Sequence, residues 1–344
     1  MILSCWIEYI SLLIVGCYNH SLVHTVINNY LSVVEGKKRS ECIESLRDCL
    51  VHMLHSRDGA MAALHCLWHG TPKDRKSIVK SLKTLVEKTA YEEYGHLVLL
   101  AIFDTIDDTK LVGKAIVGEI CDSLDRIMNN KFGLRVVKYL VAGRDRAYTY
   151  PEVVATLQRG DGNEHSKKEA GLRRRELCQA AAGPLLTWLT ERLQAGLYDP
   201  PSTITFTCIL NHIPASEQLT SIWRLLAAEA VKPFSSGDDA PNIIESRASN
   251  MMLKKIIQKD GSRAAMEEET LSAVLLGAVG EAGLEAWLGC NRGALLLVWC
   301  WETDVPGIRT LITEKMTKGE FSLASTLNKQ THNGAAILKE KLKI

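Results

Sequence analysis

Along this chain a polar turn is followed by a small residue and then by a mostly apolar run, and the unit recurs. It reads RDGAMAALHCL, EEYGHLVLLAIF, NKFGLRVVKYLV, CNRGALLLVWCW and THNGAAILKEKL. Degenerate copies stand at NHSLVHTVI, PPSTITFTCIL and SRASNMMLKKII, with His20, Ser202 and Ser249 in place of glycine. The anchors fall at positions 20, 59, 95, 133, 202, 249, 293 and 334, mostly 36 to 47 residues apart, with one gap of 69. That period belongs to two- or three-helix solenoid repeats. A small anchor is expected to let two helices approach closely. The apolar helix after it needs stacked neighbours to be buried, so several repeats are required for stability. Amphipathic helices fill the intervals. In DDTKLVGKAIVGEI, Asp108 or Thr109 can cap, and Leu111, Ala115, Ile116 and Ile120 then share a face. Alternation of the kind that makes strands is absent over any useful length. The expected fold is all-α: a curved α-solenoid of about eight helical, armadillo-like repeats.

Two polar stretches interrupt the array. RGDGNEHSKKEAGLRRREL (159–177) reads as a mobile loop running into a basic helix start, and PFSSGDDAPN (233–242) as a turn-rich connector. The apolar opening Met1–Cys17 contains Glu8, lacks a basic leader, and is shorter than the roughly 20 residues that span a bilayer. It reads as a packed first helix, and no membrane association is expected. Composition agrees with helical packing, since hydrophobic residues make up 46% and aromatics only 6%. The ten cysteines show no C-x-x-C spacing, and Cys66, Cys121 and Cys208 lie among apolar neighbours, as reduced buried thiols do. A formal net charge of +1 means that any polyanion site must come from local clusters.

Three segments carry a specific resemblance: HCLWHGTPKDRKSIVKSLK (65–83), GHLVLLAIFDTIDDTKLV (95–112) and GDGNEHSKKEAGLRRREL (160–177). They resemble the Pumilio-like proteins of the Puf-A group, strongly from about position 40 to 178 and in register beyond. The resemblance implies Puf-type repeats over 18–149 and a C-terminal Pumilio-like (CPL) region over 150–344, beginning at Tyr150. It further implies nucleolar localisation within the nucleus, binding of RNA or DNA with little sequence preference, and work in ribosomal RNA processing and large-subunit assembly. Family members also carry earlier repeats and a Lys-rich tail, so the present sequence is expected to hold the C-terminal eight repeats. A monomer is expected, with pre-ribosomal RNA as ligand, DNA as a further one, and pre-ribosomal proteins as further partners.

Sequence-specific Puf proteins read one base per repeat with two or three side chains of one helix. In that family, the residue after the anchor and the one four later meet the base edge, while the residue between them stacks. The corresponding triplets are Ser21, Leu22, Thr25; Ala60, Met61, Leu64; His96, Leu97, Leu100; and Leu134, Arg135, Lys138. The later ones are Thr203, Ile204, Thr207; Asn250, Met251, Lys254; Ala294, Leu295, Val298; and Ala335, Ala336, Lys339. None ends in Gln or Glu, and only Arg135 offers a planar stacking group. A base code is therefore absent, and binding must rest on phosphate contacts. Residues 131–180 hold eleven Lys/Arg against six Asp/Glu. The expected phosphate contacts are Arg135, Lys138, Lys167, Lys168, Arg173, Arg174 and Arg175, with a second cluster at Lys73, Arg75 and Lys76, extended by Lys80 and Lys83.

Chemistry of other kinds finds little footing. No H-E-x-x-H, G-x-x-x-x-G-K-[ST], G-x-G-x-x-G or G-x-S-x-G is present. His65 and His69 stand one turn apart without a defined ligand set, and Asp104, Asp107 and Asp108 read as helix-capping groups. No enzyme, cofactor or metal is expected. The competing reading is a HEAT- or armadillo-like solenoid that grips a partner peptide, favoured by the acidic run Glu267, Glu268, Glu269, Glu281, Glu285, Glu302 and Asp304.

Overall fold

The computed structural model describes residues 18–234, 242–317 and 323–343. The opening segment 1–17 and most of the 233–242 connector lie outside them. The described residues form helices and turns, with no strand among them. The chain divides into two compact units, Met1–Leu185 and Leu186–Ile344.

In the first unit the anchored helices are α1 (Ser21–Val33), α2 (Arg57–His69), α3 (Gly95–Thr105) and α4 (Lys131–Ala142). They pack in that order as one row, α1 on α2, α2 on α3 and α3 on α4. In the second unit α5 (Pro200–His212), α6 (Arg247–Ala264), α7 (Asn291–Glu302) and α8 (Asn333–Leu342) do the same. Each unit backs its row with a second one. Helix Pro72–Ser81 contacts residues 109–117 in the first, and Glu217–Ala230 contacts Leu271–Ala278 in the second. Eight anchored helices thus match the eight anchors read from the sequence. The 69-residue gap holds two unanchored helices, Pro151–Gln158 and the 27-residue Ala170–Gly196, whose interior contains Pro184.

The anchor has a sharper physical meaning than expected. Ser56, Asn130, Asp199, Ser246 and Cys290 are N-caps, and their side chains accept the backbone N–H of Gly59, Gly133, Ser202, Ser249 and Gly293. Each of these five anchors is therefore the third residue of its helix, where a free N–H needs an acceptor, whereas His20 precedes its helix and Gly95 and Gly334 are the first and second residues of theirs. At that point the chain has just turned back on itself. A Cβ on Gly59 would lie 2.0 Å from the Met53 carbonyl oxygen, on Gly133 2.4 Å from that of Ile127, and on Gly293 2.4 Å from that of Trp287. The close approach is to the carbonyl six residues earlier, within the same repeat, and only Gly334 meets a neighbouring row helix, at Asn291. Where serine replaces glycine, the hydroxyl finds a use: Ser249 is fully buried and donates to the Leu197 carbonyl.

Between repeats, polar bonds fix the stacking. Thr25 Oγ1 and Asn28 Nδ2 on α1 donate to the Asp58 carboxylate on α2, at 2.5 and 3.1 Å. Trp68, Trp223 and Trp287 are core residues, as are Cys66 and Cys208, while Cys121, Trp299 and Trp301 are half-buried. Gly59→Ala forces a Cβ into a carbonyl and is expected to cost about 3 kcal/mol, as overpacking does. Gly277→Ala, with nothing within 4 Å of the new methyl, is expected to be neutral or to stabilise by up to about 1 kcal/mol. Urea unfolding of the two variants measures the contrast; equal effects would contradict the close-approach reading.

Candidate nucleic-acid interface

The base-edge positions assigned from the sequence lie along the anchored helices. Here packing has consumed most of them. Ala60, Leu64, His96 and Leu100 are buried in the first unit, and Thr203, Thr207, Asn250, Ala294, Val298 and Ala335 in the second. At the stacking positions, Leu22, Ile204 and Met251 are 75%, 48% and 45% exposed and offer aliphatic surface. Arg135, the one planar group, is already stacked: its guanidinium lies 4.6 Å from the Tyr150 ring and 5.3 Å from that of Phe132. Lys131 covers Phe132 as well, at 4.5 Å. Arg135 and the half-buried Lys138 thus bring charge to α4 without an open stacking face.

The other basic residues separate into two groups. On helix Pro72–Ser81, Lys73, Lys76 and Lys80 share the solvent face. This helix belongs to the second row, so these lysines stand apart from Arg135 and Lys138. Arg75 lies on the opposite side and is 2% exposed. Its guanidinium donates to the carbonyls of Leu67, Trp68 and Thr105, to Asn163 Oδ1 and to Ser166 Oγ. With its donors engaged and its surface covered, Arg75 cannot meet a phosphate. Burial pulls its pKa down to about 10.

The same correction applies to Arg173, 4% exposed. It donates to the Asp104 and Lys168 carbonyls and forms an ion pair with Asp107 at 2.7 Å. Lys168 is paired with Glu176 at 2.7 Å and donates to Thr109 Oγ1. Lys167, Arg174 and Arg175 remain exposed. The structure therefore gathers Arg75, Lys167, Lys168 and Arg173 around the turn that ends α3, chiefly as fastenings.

Those fastenings overturn the expected mobility of the 159–172 loop. The Lys167 and Lys168 N–H groups donate to Asp107 Oδ2, Ser166 Oγ to the Thr105 carbonyl, and Arg75 holds Asn163. Gly160 is pressed so close to Trp68 that a Cβ would lie 2.0 Å from the indole. Arg144 adds a clamp that the sequence did not disclose. It grips Asp104 at 2.7 Å and Asp161 at 2.6 Å, while Tyr139 donates to Asp104 at 2.7 Å. Of the three aspartates read as caps, only Asp108 caps, accepting from Leu111 N–H. Asp104 and Asp107 hold the loop.

Burial alone would raise the Asp107 pKa, but hydrogen bonds from Arg173 and from the Lys168 and Lys167 N–H groups outweigh it and leave it below the ordinary value. A carboxylate depressed in the folded state contributes stability above its unfolded pKa, near 4, and loses it as pH falls through the folded value. The loop is thus expected to loosen only in strong acid. At neutral pH, Asp107→Asn should raise amide hydrogen exchange at Lys167 and Lys168 while sparing α2. Unchanged protection would show that Asp107 does not hold the loop.

Comparison with known proteins agrees with this architecture. The CPL (NUC119) domain family matches residues 129–269, a span that opens before Tyr150 and stops short of the C-terminus. Human Pumilio homolog 3 is 41% identical over 94% of this chain, which covers 50% of that protein. The chain thus spans about half the length of the curated relatives it matches. The crystal structure of human Puf-A, 38% identical, covers 98% of this chain and 65% of its own, with a TM-score of 0.82. The crystal structure of human Puf-A in complex with DNA, 39% identical, covers 94% of this chain and 62% of its own, with a TM-score of 0.79. In its anchors, its capped and stacked helices and these comparisons, the chain is similar to Puf-A and its Pumilio-type repeats, and its residues 129–269 match the CPL domain family.

Proposed function

We propose that the chain is a nucleic-acid-binding scaffold of low base specificity, acting on pre-ribosomal RNA during ribosomal RNA processing and large-subunit assembly in the nucleolus. The observation that carries binding is the likeness along 94% of this chain to human Puf-A in complex with DNA. The observation that carries low specificity is the burial of most base-edge positions, together with the lack of Gln or Glu at any of them. Phosphate contacts then fall to the exposed cations Lys73, Lys76, Lys167, Arg174 and Arg175, with Arg135 and Lys138 adding field from α4. Arg75 and Arg173 act behind them by holding the loop.

A second reading draws on one feature of the second unit. A groove of about 740 Å³ is lined by Trp299, Glu302, Asp304 and Pro306 on one side and Gln258 to Ala265 on the other. Its two carboxylates, Glu302 at 3.0 Å from Lys341 and Asp304 at 3.9 Å from Arg309, are the groups for which a basic peptide on a protein partner would compete.

Shuffling the base order of an RNA of fixed length and structure should change affinity by less than about tenfold, or 1.4 kcal/mol. Lys73→Ala with Lys76→Ala should weaken every sequence alike and flatten the slope of log affinity against log salt by about 0.7 to 0.9 per lost contact. A thousandfold preference for one sequence, or an unchanged slope, would count against phosphate-led binding and move the partner-peptide reading ahead.

A further inference from the structure

Tyr150 is 55% exposed, more than any other Phe, Tyr or Trp among the described residues. A single exposed ring is ordinary on a protein surface. What sets this one apart is how firmly it is held.

The turn before it is fastened. Ala147 N–H donates to Asp145 Oδ1, Thr149 N–H to the Asp145 carbonyl, and the buried Thr149 hydroxyl to the Gly143 carbonyl. After it, Pro151 opens helix Pro151–Gln158. A proline confines the preceding residue to extended backbone, and Tyr150 stands there at φ −67°, ψ 141°. The ring itself is backed by Arg135, whose guanidinium lies 4.6 Å from its centroid. The same guanidinium lies 5.3 Å from the Phe132 centroid, and His96 stacks on Phe132 at 5.0 Å with planes 28° apart. His96 is buried, while Phe132 and Arg135 are half-buried. A chain of ring and cation contacts thus runs from the core of α3, across α4, out to Tyr150. Each link is favourable, through the ring quadrupole.

Arg135 covers one face of the Tyr150 ring. No other ring or cation lies over it among the described residues, so the opposite face is open to solvent. Helix α4, on which the ring rests, carries Lys131, Arg135 and Lys138 and no carboxylate. Lys131 is exposed beside the stack, 4.5 Å from the Phe132 centroid. Acidic groups stand on the flanking elements: Glu93, whose field reaches His96 together with that of Arg135, and Glu152, in the first turn after Tyr150. Both are exposed, so water screens them. An open aromatic face above a cationic helix is the combination by which proteins hold single strands, with cations for the backbone and a ring for a base.

We propose that Tyr150 is a stacking platform for one unpaired base of a bound RNA strand. This site rests on the nucleic-acid-binding reading above and adds to it a contact of another kind. The ligand is a nucleobase of any identity, because every base has a π-face. Tyr150 lies outside the repeat triplets, between α4 and helix Pro151–Gln158, and meets no base edge. Stacking there raises affinity for single-stranded regions and leaves sequence preference low. Arg135 holds the ring from behind and does not touch the base.

Fluorescence anisotropy with two labelled RNAs, a single-stranded oligoadenylate and a fully paired duplex, tests the proposal. Tyr150→Ala is expected to weaken oligoadenylate binding about tenfold, as the loss of one stacked base does. The duplex, whose bases are already stacked, should bind as before. Tyr150→Phe and Tyr150→Trp keep a π-face and should retain wild-type affinity. The salt slope of Tyr150→Ala should match that of wild type, because a lost stack releases no counterions. Circular dichroism confirms that each variant is folded. Equal binding of oligoadenylate by wild type and Tyr150→Ala would overturn the proposal and leave the ring as a contact for a protein partner. A loss as large for the duplex, or as large in Tyr150→Trp, would overturn it too. Binding of both RNAs with no effect of Tyr150→Ala sinks this site alone, whereas failure of wild type to bind either RNA sinks the proposed function along with it.

Discussion

The stacking of this chain depends on how the anchored helices start. At α2, α4, α5, α6 and α7 a cap three residues earlier satisfies the backbone N–H of the anchor, and at Gly59, Gly133 and Gly293 the chain also passes a carbonyl at a distance that leaves no room for a side chain. Cap and close approach together fix where a helix begins and how it leaves the preceding turn. Once that start is fixed, the apolar positions behind it fall on the faces that neighbouring helices cover. Four such helices stack in each unit. The repeat is thus a constraint on backbone geometry first and a hydrophobic pattern second.

The same packing decides what the surface can recognise. Small or apolar side chains at the base-edge positions, such as Ala60, Leu64, Ala294 and Val298, disappear into the stack. What remains outward is aliphatic at Leu22, Ile204 and Met251, and cationic on a different row at Lys73 and Lys76. A chain of this kind can hold a polyanion by charge while reading little of its sequence. The turn at Asp104 to Asp107 has a parallel role. It draws Arg75, Arg144, Arg173 and the Lys167–Lys168 backbone onto one short segment, fixing the loop that connects helix Pro151–Gln158 to the long helix.

Periodicity made much of this legible. The eight anchors, the all-helical class and the lack of Gln or Glu at the base-edge positions were all visible in the residues, because small anchors and turn signals act locally. The loop and its partners were not. Arg75 and Arg173 lie in basic runs, KDRK and LRRRE, and nothing in such a run tells which residue turns inward. That choice is made by a backbone carbonyl, a carboxylate, a side-chain amide and a hydroxyl some 30 to 90 positions away, at Thr105, Asp107, Asn163 and Ser166. The polar loop read as mobile for the same reason. Glycine and charge signal a turn, but the acceptors that fasten this one belong to another repeat. Arg135 looked like a stacking group until Tyr150, well beyond its own helix, was seen to occupy its face.

Lysine acetylation footprinting of the chain with and without bound RNA tests most directly whether the outer cations, rather than the row of anchored helices, hold the strand. Protection of Lys73, Lys76 and Lys167 is expected, with Lys254 and Lys339 at base-edge positions modified equally in both states. Protection confined to Lys254 and Lys339, with Lys73, Lys76 and Lys167 unaffected, would contradict it.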